Sequence, residues 1–433
     1  MNRQFLHILI QITIFLYSFY FFREPFEGYF AYLVYLVLFP FFILKFGIAK
    51  LPILVFIPML LSGVIYIQIG LNTWPLFIKV FAGFFLSVLF YYYVFRLFNF
   101  EVKELFSYYL KAATIVSLIG LIQVASYQVG FNYGYNLAHY GLNKWSYTPG
   151  GLGIRLNSIL SEPSYFAAII APAFFVALLN VVRRNYVFIG RTASIIIIIA
   201  YLLTFSSVGI LGIFLAVLFL LLNFGLVRYA FVFIPMFYFG FYFAYNNIEE
   251  FRDRFDGTLD IFSADGDVNS YDIHGSSFVL FNNWHIASEN FIRNPLFGTG
   301  LGSHPIAFDK YSLTNMAGVI QINFNKADAN SMFLRLLSET GLYGVGLILF
   351  ILVRHYLYRG KTAEPEYWII SNAVALIILL YLLRQGHYFL NGFPFFMWMY
   401  YFNWKKNHEL KALAAEPPIF TPNPRLNPKV ETA

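Results

Sequence analysis
The side chains of this chain that could do chemistry fall in four short stretches. The first is Arg155-Leu-Asn-Ser-Ile-Leu-Ser-Glu162-Pro163-Ser164-Tyr165. Pro163 suits the first turn of a helix, where its missing N–H costs nothing, and Ser161 or Glu162 is placed to cap that helix. Arg155 offers a planar guanidinium that suits bidentate binding of phosphate or pyrophosphate. The helix N-terminus at 163 adds partial positive charge aimed at the same space. A capped helix beside an arginine that touches lipid head groups is the alternative. The second stretch is Asn283-Trp284-His285-Ile-Ala-Ser-Glu289-Asn-Phe-Ile-Arg293-Asn-Pro295-Leu-Phe-Gly298-Thr-Gly300-Leu-Gly302. Residues 282–293 read as a short amphipathic helix with Trp284, Ala287 and Phe291 on one face. The glycines after Pro295 allow a tight bend or a close approach to a ligand, and a simple packed loop fits them as well.

The third stretch is Asp328-Ala329-Asn330-Ser331-Met-Phe-Leu-Arg335-Leu-Leu-Ser-Glu339-Thr-Gly341-Leu-Tyr-Gly344. Asn330 is placed to cap a helix on which Arg335 and Glu339, four residues apart, share one face. Charges inside a span are expensive unless paired or functional, so this is either a self-satisfied pair or a site. The fourth is Arg384-Gln385-Gly386-His387-Tyr388, with a second cation that could bind phosphate or merely snorkel, and a histidine that is a base or an interfacial residue. Asp265-Gly-Asp267-Val-Asn269 begins like a calcium loop, but Ser270 and Ser276 stand where a glycine and a glutamate are required. It reads as a solvated loop, and no metal site or cofactor is expected.

The elements that carry these residues are set by composition. Of 433 residues, 59% are hydrophobic and 12% charged, with 53 Phe and 33 Tyr. Soluble domains carry about 25% charge, and none of this size has interior enough for so much apolar surface. The solvent for most of the chain is therefore lipid. The net charge of +7 comes from basic residues placed in ones and twos between apolar runs, a topology signal and not a nucleic-acid surface. Cysteine is absent, which excludes disulfides and thiolate chemistry.

About 20 apolar residues cross a bilayer. Twelve runs qualify: 5–22, 29–47, 51–69, 75–96, 106–128, 163–182, 190–205, 207–224, 227–246, 333–354, 367–383 and 386–403. The split between 205 and 207 rests on the turn Thr204-Phe205-Ser206-Ser207. Lys and Arg in the short loops place both termini in the cytoplasm. The expected fold is thus an all-α polytopic membrane protein. Residues 1–411 form a single integral membrane domain, 247–332 one large outer loop within it, and 412–433 a proline-rich disordered cytoplasmic tail.

The order Arg-x6-Glu-Pro-Ser opening a span, then Asn-Pro-Leu-Phe-Gly-x-Gly-Leu-Gly, then Asn-x4-Arg-x3-Glu-x-Gly-Leu-x-Gly entering a late span, resembles the bacterial O-antigen polymerase and O-antigen ligase superfamily. Leu203-Thr-Phe-Ser206-Ser207-Val-Gly209 is similar to that superfamily's turn around a Ser-Arg pair. The resemblance covers roughly residues 150–350 in ordered motifs. It implies a GT-C-like, metal-independent glycosyltransferase of the bacterial inner membrane, acting at the periplasmic face. The donor would be an oligosaccharide on undecaprenyl pyrophosphate. Membrane lipid, and a chain-length regulator protein, would be its other partners, with no nucleic acid.

In that reading Arg155 and Arg384, with Arg252, Arg254 and Arg335, would hold the pyrophosphate leaving group. Glu162, Glu339 and His304 would be the candidates for the base that assists an attacking hydroxyl. Ligases of the superfamily carry a histidine where this chain has Ala329, which favours a polymerase of repeat units over a ligase. The Ser-Arg pair is Ser206-Ser207 here, so one expected arginine is missing. A flippase or transporter of lipid-linked glycan is a third reading, disfavoured by the large outer loop.

Overall fold
The computed structural model describes residues 3–17, 19–22, 27–142, 144–226, 275–313 and 324–415, with isolated positions between 227 and 274. It is mostly helical. Five helices come first: α1 (Arg3–Phe15), α2 (Phe30–Phe46), α3 (Lys50–Gln68), α4 (Trp74–Leu97) and α5 (Val102–Gln128). The segment after α5 holds a single helical turn, α6 (Asn132–Tyr135), and a small antiparallel pair, β1 (Thr148–Leu152) and β2 (Ile154–Arg155). Then follow α7 (Pro163–Arg183), α8 (Arg191–Leu202) and α9 (Ser207–Asn223). The described part of the segment 247–332 is largely helical, as α10 (Gly275–Arg293) and α11 (His304–Tyr311). The chain continues with α12 (Met332–Arg354), α13 (Pro365–Arg384) and α14 (Phe393–Ala415).

Among the described residues six helices, α3, α4, α5, α7, α12 and α13, are long and apolar enough to cross a membrane. Four shorter apolar helices, α1, α2, α8 and α9, have 12 to 17 residues. The burial pattern follows from having lipid outside. Helices α7 and α13 are apolar on every face and sit in the middle, so that nearly every side chain of each is covered. Helices α2 and α3 are just as apolar, yet Leu36, Val37, Leu44 and Leu54 stand largely uncovered on the outside. Only a hydrocarbon solvent makes that arrangement stable.

Several boundaries differ from expectation. The first run, 5–22, ends its helix at Phe15, because the chain then reverses and pairs with itself: Phe21 N–H bonds Gly28 O at 2.9 Å and Phe30 N–H bonds Phe19 O. The turn between 205 and 207 is present. Ser206 caps α9 by accepting from Gly209 N–H at 2.9 Å, and Phe205 takes a left-handed φ of 44°. The tail expected from 412 is still helical as far as Ala415. Alanines favour helix, no proline intervenes, and Leu410 packs against the core. Most of the run 227–246 and residues 416–433 lie outside the described residues.

The helix expected over 282–293 is longer, and its covered face is different. Trp284 is 52% exposed, whereas Asn282, Asn283, Ile286, Ala287 and Asn290 are buried. The burial of three asparagines on this face reflects hydrogen bonding. Asn290 alone gives bonds to Thr299 Oγ1 and to the carbonyl and hydroxyl of Ser338 at 2.9 to 3.0 Å.

The glycine-rich segment 294–302 closes around a break in α12. Gly341 has φ 58° and ψ −147°, which interrupts that helix and frees backbone groups on both sides. The segment takes them up: Leu342 N–H bonds Pro295 O, Tyr343 N–H bonds Leu296 O, and Gly300 N–H bonds Glu339 O at 2.8 Å. A side chain at Gly298 would run into the backbone of Glu339. What these glycines approach closely is the protein's own helix.

Candidate functional site
Three polar groupings gather where α7, α12 and α13 end. The deepest surrounds Arg335 and Glu339. Helix α12 begins at Ser331, whose Oγ accepts from Leu334 N–H and donates to Leu382 O at 2.7 Å, tying α12 to α13. Asn330 is not the cap that the sequence suggested. Ala329 and Asn330 both have left-handed φ, so the chain turns there and delivers Ser331 instead. Arg335 Nε donates to Glu339 Oε1 at 3.0 Å and Nη1 to Gly386 O at 2.9 Å, and the guanidinium lies 4.4 Å from the centre of the Tyr388 ring. Tyr388 O–H donates to Glu339 Oε2 at 3.0 Å, and His304 N–H reaches Glu339 Oε1 at 3.4 Å.

Both charges are buried, and both carboxylate oxygens of Glu339 are taken. This is the self-satisfied pair. In this arrangement Arg335 and Glu339, expected at the pyrophosphate and as a base, are enclosed and bond to each other, to Gly386 and to Tyr388. His304 is likewise fully buried. Asn283 donates to Val279 O and Phe324 O, so its Oδ1 must be the acceptor facing His304 Nε2 at 3.0 Å. His304 therefore carries its proton on Nε2. Burial, reinforced by the positive charge of Arg335, pulls its pKa down to about 3. It is a neutral, enclosed imidazole and not an accessible base.

The second grouping is Asp328, His387 and Tyr165. Asp328 Oδ1 accepts from Asn330 N–H and from Asn325 Nδ2, both at 3.2 Å. His387 Nε2 lies 2.8 Å from Asp328 Oδ2 and 2.9 Å from Tyr165 Oη. Burial opposes ionisation of Asp328, but the imidazole and these N–H groups outweigh it and hold the carboxyl well below its usual range. An ionised Asp328 beside Nε2 requires a proton on that nitrogen. That leaves Nδ1 as the ring's other nitrogen, on a side chain that is 24% exposed. Gly386 makes the approach possible, because any Cβ there would fall on the carbonyl of Asp328. The sequence leaves His387 either a base or an interfacial residue and gives Asp328 no role. Their pairing joins the start of α12 to the end of α13, and no spacing rule reveals it.

The third grouping holds two expected cations. Arg155 Nε donates to Thr204 O at 3.1 Å, and Arg384 Nη2 donates to Ser207 Oγ at 3.1 Å. Two arginines far apart in sequence thus grip the two ends of one four-residue turn between α8 and α9. Both are half-buried. The turn lies against the first turns of α7, where Gly209 faces Ala167. Glu162 is exposed at the N-cap position of that helix, without a capping bond of its own, and accepts from Ser164 Oγ at 3.1 Å. Tyr165, which reaches His387, is one turn further on. Arg252 is exposed, and Arg254 lies outside the described residues.

The structure therefore brings Arg155 and Arg384 to one turn, while His387, three residues after Arg384, reaches Tyr165 on α7, the helix that Glu162 precedes. It places Arg335, Glu339 and His304 in a supporting layer beneath. Paired guanidinium groups can hold a polyanion, and an imidazole backed by a carboxylate can take a proton. Among the described residues, no three His, Asp or Glu side chains come together as a metal site. The chain matches no known protein-family model, and no curated protein sequence is significantly similar to it.

Proposed function
We propose that this chain is a membrane glycosyltransferase that joins lipid-pyrophosphate-linked oligosaccharide repeat units into a surface polysaccharide. The observation that carries the reading is the convergence of Arg155 and Arg384 on the Thr204–Ser207 turn next to the Asp328–His387 pair. In this proposal twelve spans in a GT-C-like arrangement hold the site at the periplasmic face of a bacterial inner membrane, with both termini in the cytoplasm.

The chemistry asked of the site is simple to balance. An acceptor hydroxyl attacks the anomeric carbon of the donor, and the bond from that carbon to the pyrophosphate oxygen breaks. The leaving pyrophosphate takes the bonding pair, and Arg155 and Arg384 stabilise its charge. The hydroxyl proton passes to His387 Nδ1, with Asp328 holding the ring through Nε2. Glu162, exposed at the head of α7, is the other base within the same region. Ala329, where ligases have a histidine, supports polymerase over ligase.

The test is Arg155→Ala, expressed at the normal level in a host that lacks its own copy. Surface and lipid-linked glycans are run on a gel. The expected result is acceptor capped by a single repeat unit and no ladder. A normal ladder overturns the proposal. Bare acceptor with long polymer stranded on the lipid carrier makes the protein a ligase.

A further inference from the structure
A cavity of about 580 Å³ lies between α1 and α5 and reaches, at one end, Ile159 in the segment between Arg155 and Glu162. Its volume is that of a small-molecule site, and its wall is largely apolar, built from such residues as Ile8, Ile12, Phe15, Ile115, Val116 and Ile119. Ile8 and Ile115 are 58% and 60% exposed at its rim, so it opens sideways toward lipid. Five polar side chains, Gln4, His7, Gln11, Tyr108 and Lys111, interrupt this wall. Both amide atoms of Gln11 are buried with no hydrogen-bond partner among the described residues, as is Nδ1 of His7. His7 is itself fully covered and uses Nε2 on Glu104 at 3.1 Å. The Lys111 ammonium lies 4.9 Å from the centre of the Tyr108 ring and makes no ion pair among the described residues.

The depth of these groups is set by the fold. Helix α5 has 27 residues, about 40 Å, and so overshoots a hydrocarbon core of about 30 Å. Its first turns carry the water-side charges, where Lys103 pairs with Glu364 and Glu366, and Arg3 meets Glu104 at 2.5 Å. The Arg3–Glu104 pair levels α1 with α5. Gln11 and Lys111 each follow that level by two turns, about 11 Å. This puts them just inside the hydrocarbon boundary, where a lysine stem can lift its charge toward the head groups. Beyond them the cavity runs apolar along the helices to Leu16, Ile119 and Ile159. An unpaired cation at the boundary, an orphaned amide beside it and an apolar slot below match the phosphate, ester and tail of one lipid.

We propose that the α1–α5 cavity is a binding site for a single anionic phospholipid. Its phosphate meets Lys111, an ester carbonyl accepts from the Gln11 amide, and one acyl chain fills the slot. The occupant is a bulk membrane lipid and not the glycan carrier, so the site stands whether or not the glycosyltransferase reading does.

The test uses the full chain in detergent, delipidated and titrated with phosphatidylglycerol or phosphatidylcholine, and bound lipid is counted by native mass spectrometry. Phosphatidylglycerol is expected to bind at one site at least tenfold more tightly than phosphatidylcholine. Lys111→Met should lower that preference about tenfold, and Ile115→Trp should lower binding of both lipids by filling the slot. Both positions are exposed, so the unfolding midpoint without lipid should not change. Equal binding of the two lipids by the unaltered chain overturns the proposal, as does unchanged binding by Lys111→Met and Ile115→Trp.

Discussion

The Arg335–Glu339 pair invites a quantitative test, because its surroundings fix what each substitution leaves behind. Glu339→Gln keeps an oxygen for Tyr388 O–H but strands a buried guanidinium. Arg335→Met keeps the packing on Tyr388 but strands a buried carboxylate that retains only Tyr388 and the His304 N–H. Removing one partner of a buried pair costs about 3–5 kcal/mol. The double substitution Arg335→Met/Glu339→Gln removes both charges. It leaves the carbonyl of Gly386 without its donor, for about 1–3 kcal/mol, and sets the new amide N–H at position 339 against the His304 N–H, a cost that Glu339→Gln alone carries as well. The single costs should therefore exceed the double cost by about 3 kcal/mol or more. The assay is unfolding of the full chain in mixed micelles, followed by tryptophan fluorescence. Single costs below about 1 kcal/mol, or additivity within about 0.5 kcal/mol, would refute the reasoning, because neither is compatible with two buried charges in contact.

Two further outcomes follow from the same layer. Gly386→Ala sets a methyl group against the Asp328 carbonyl, so it should cost about 1–3 kcal/mol by overpacking and separate Asp328 from His387. Under the proposed function it removes the polymer ladder from a protein that still inserts, and an intact ladder counts against the Asp328–His387 pairing. His304, neutral in the fold down to about pH 3, binds a proton in the unfolded chain below about pH 6.5. The unfolded state then holds more protons, so stability falls as pH drops through that window, by on the order of 3 kcal/mol at pH 4. His304→Asn should flatten this part of the profile, and an unchanged slope would mean that the imidazole is not enclosed as described. Asp328 does not blur this window. Its depressed pKa contributes stability that is present above the unfolded carboxyl value near 3.9 and is lost only as pH falls below it.

Much was legible from residue type alone. A chain with 59% hydrophobic and 12% charged residues must place its helices in lipid, and the apolar runs located the six long helices to within a few residues, save for the overhang of α5. The Ser206 turn, the proline start of α7 and the pairing of Arg335 with Glu339 were readable because each is a local matter of helix capping or of spacing along one helix. Local rules failed where a neighbour supplied the reason. Trp284 looked like a core residue of its helix until three asparagines took the covered face. The glycines of 298–302 allow a ligand or a packed loop by sequence, and they close on the protein itself, Gly298 beside the break at Gly341 and Gly302 on the backbone of Leu76.

What the sequence determined was the solvent of this protein, its helices and the inventory of charges in or near the bilayer. Only the tertiary structure decided which charges are consumed and which stay available. Glu339 and His304 vanish into a buried layer because α10, α11 and the end of α13 meet over them. His387 gains Asp328 because Gly386 lets two backbones touch. In a medium where every unpaired charge is costly, the partner fixes what a charged side chain can do, and here the partners lie far away along the chain.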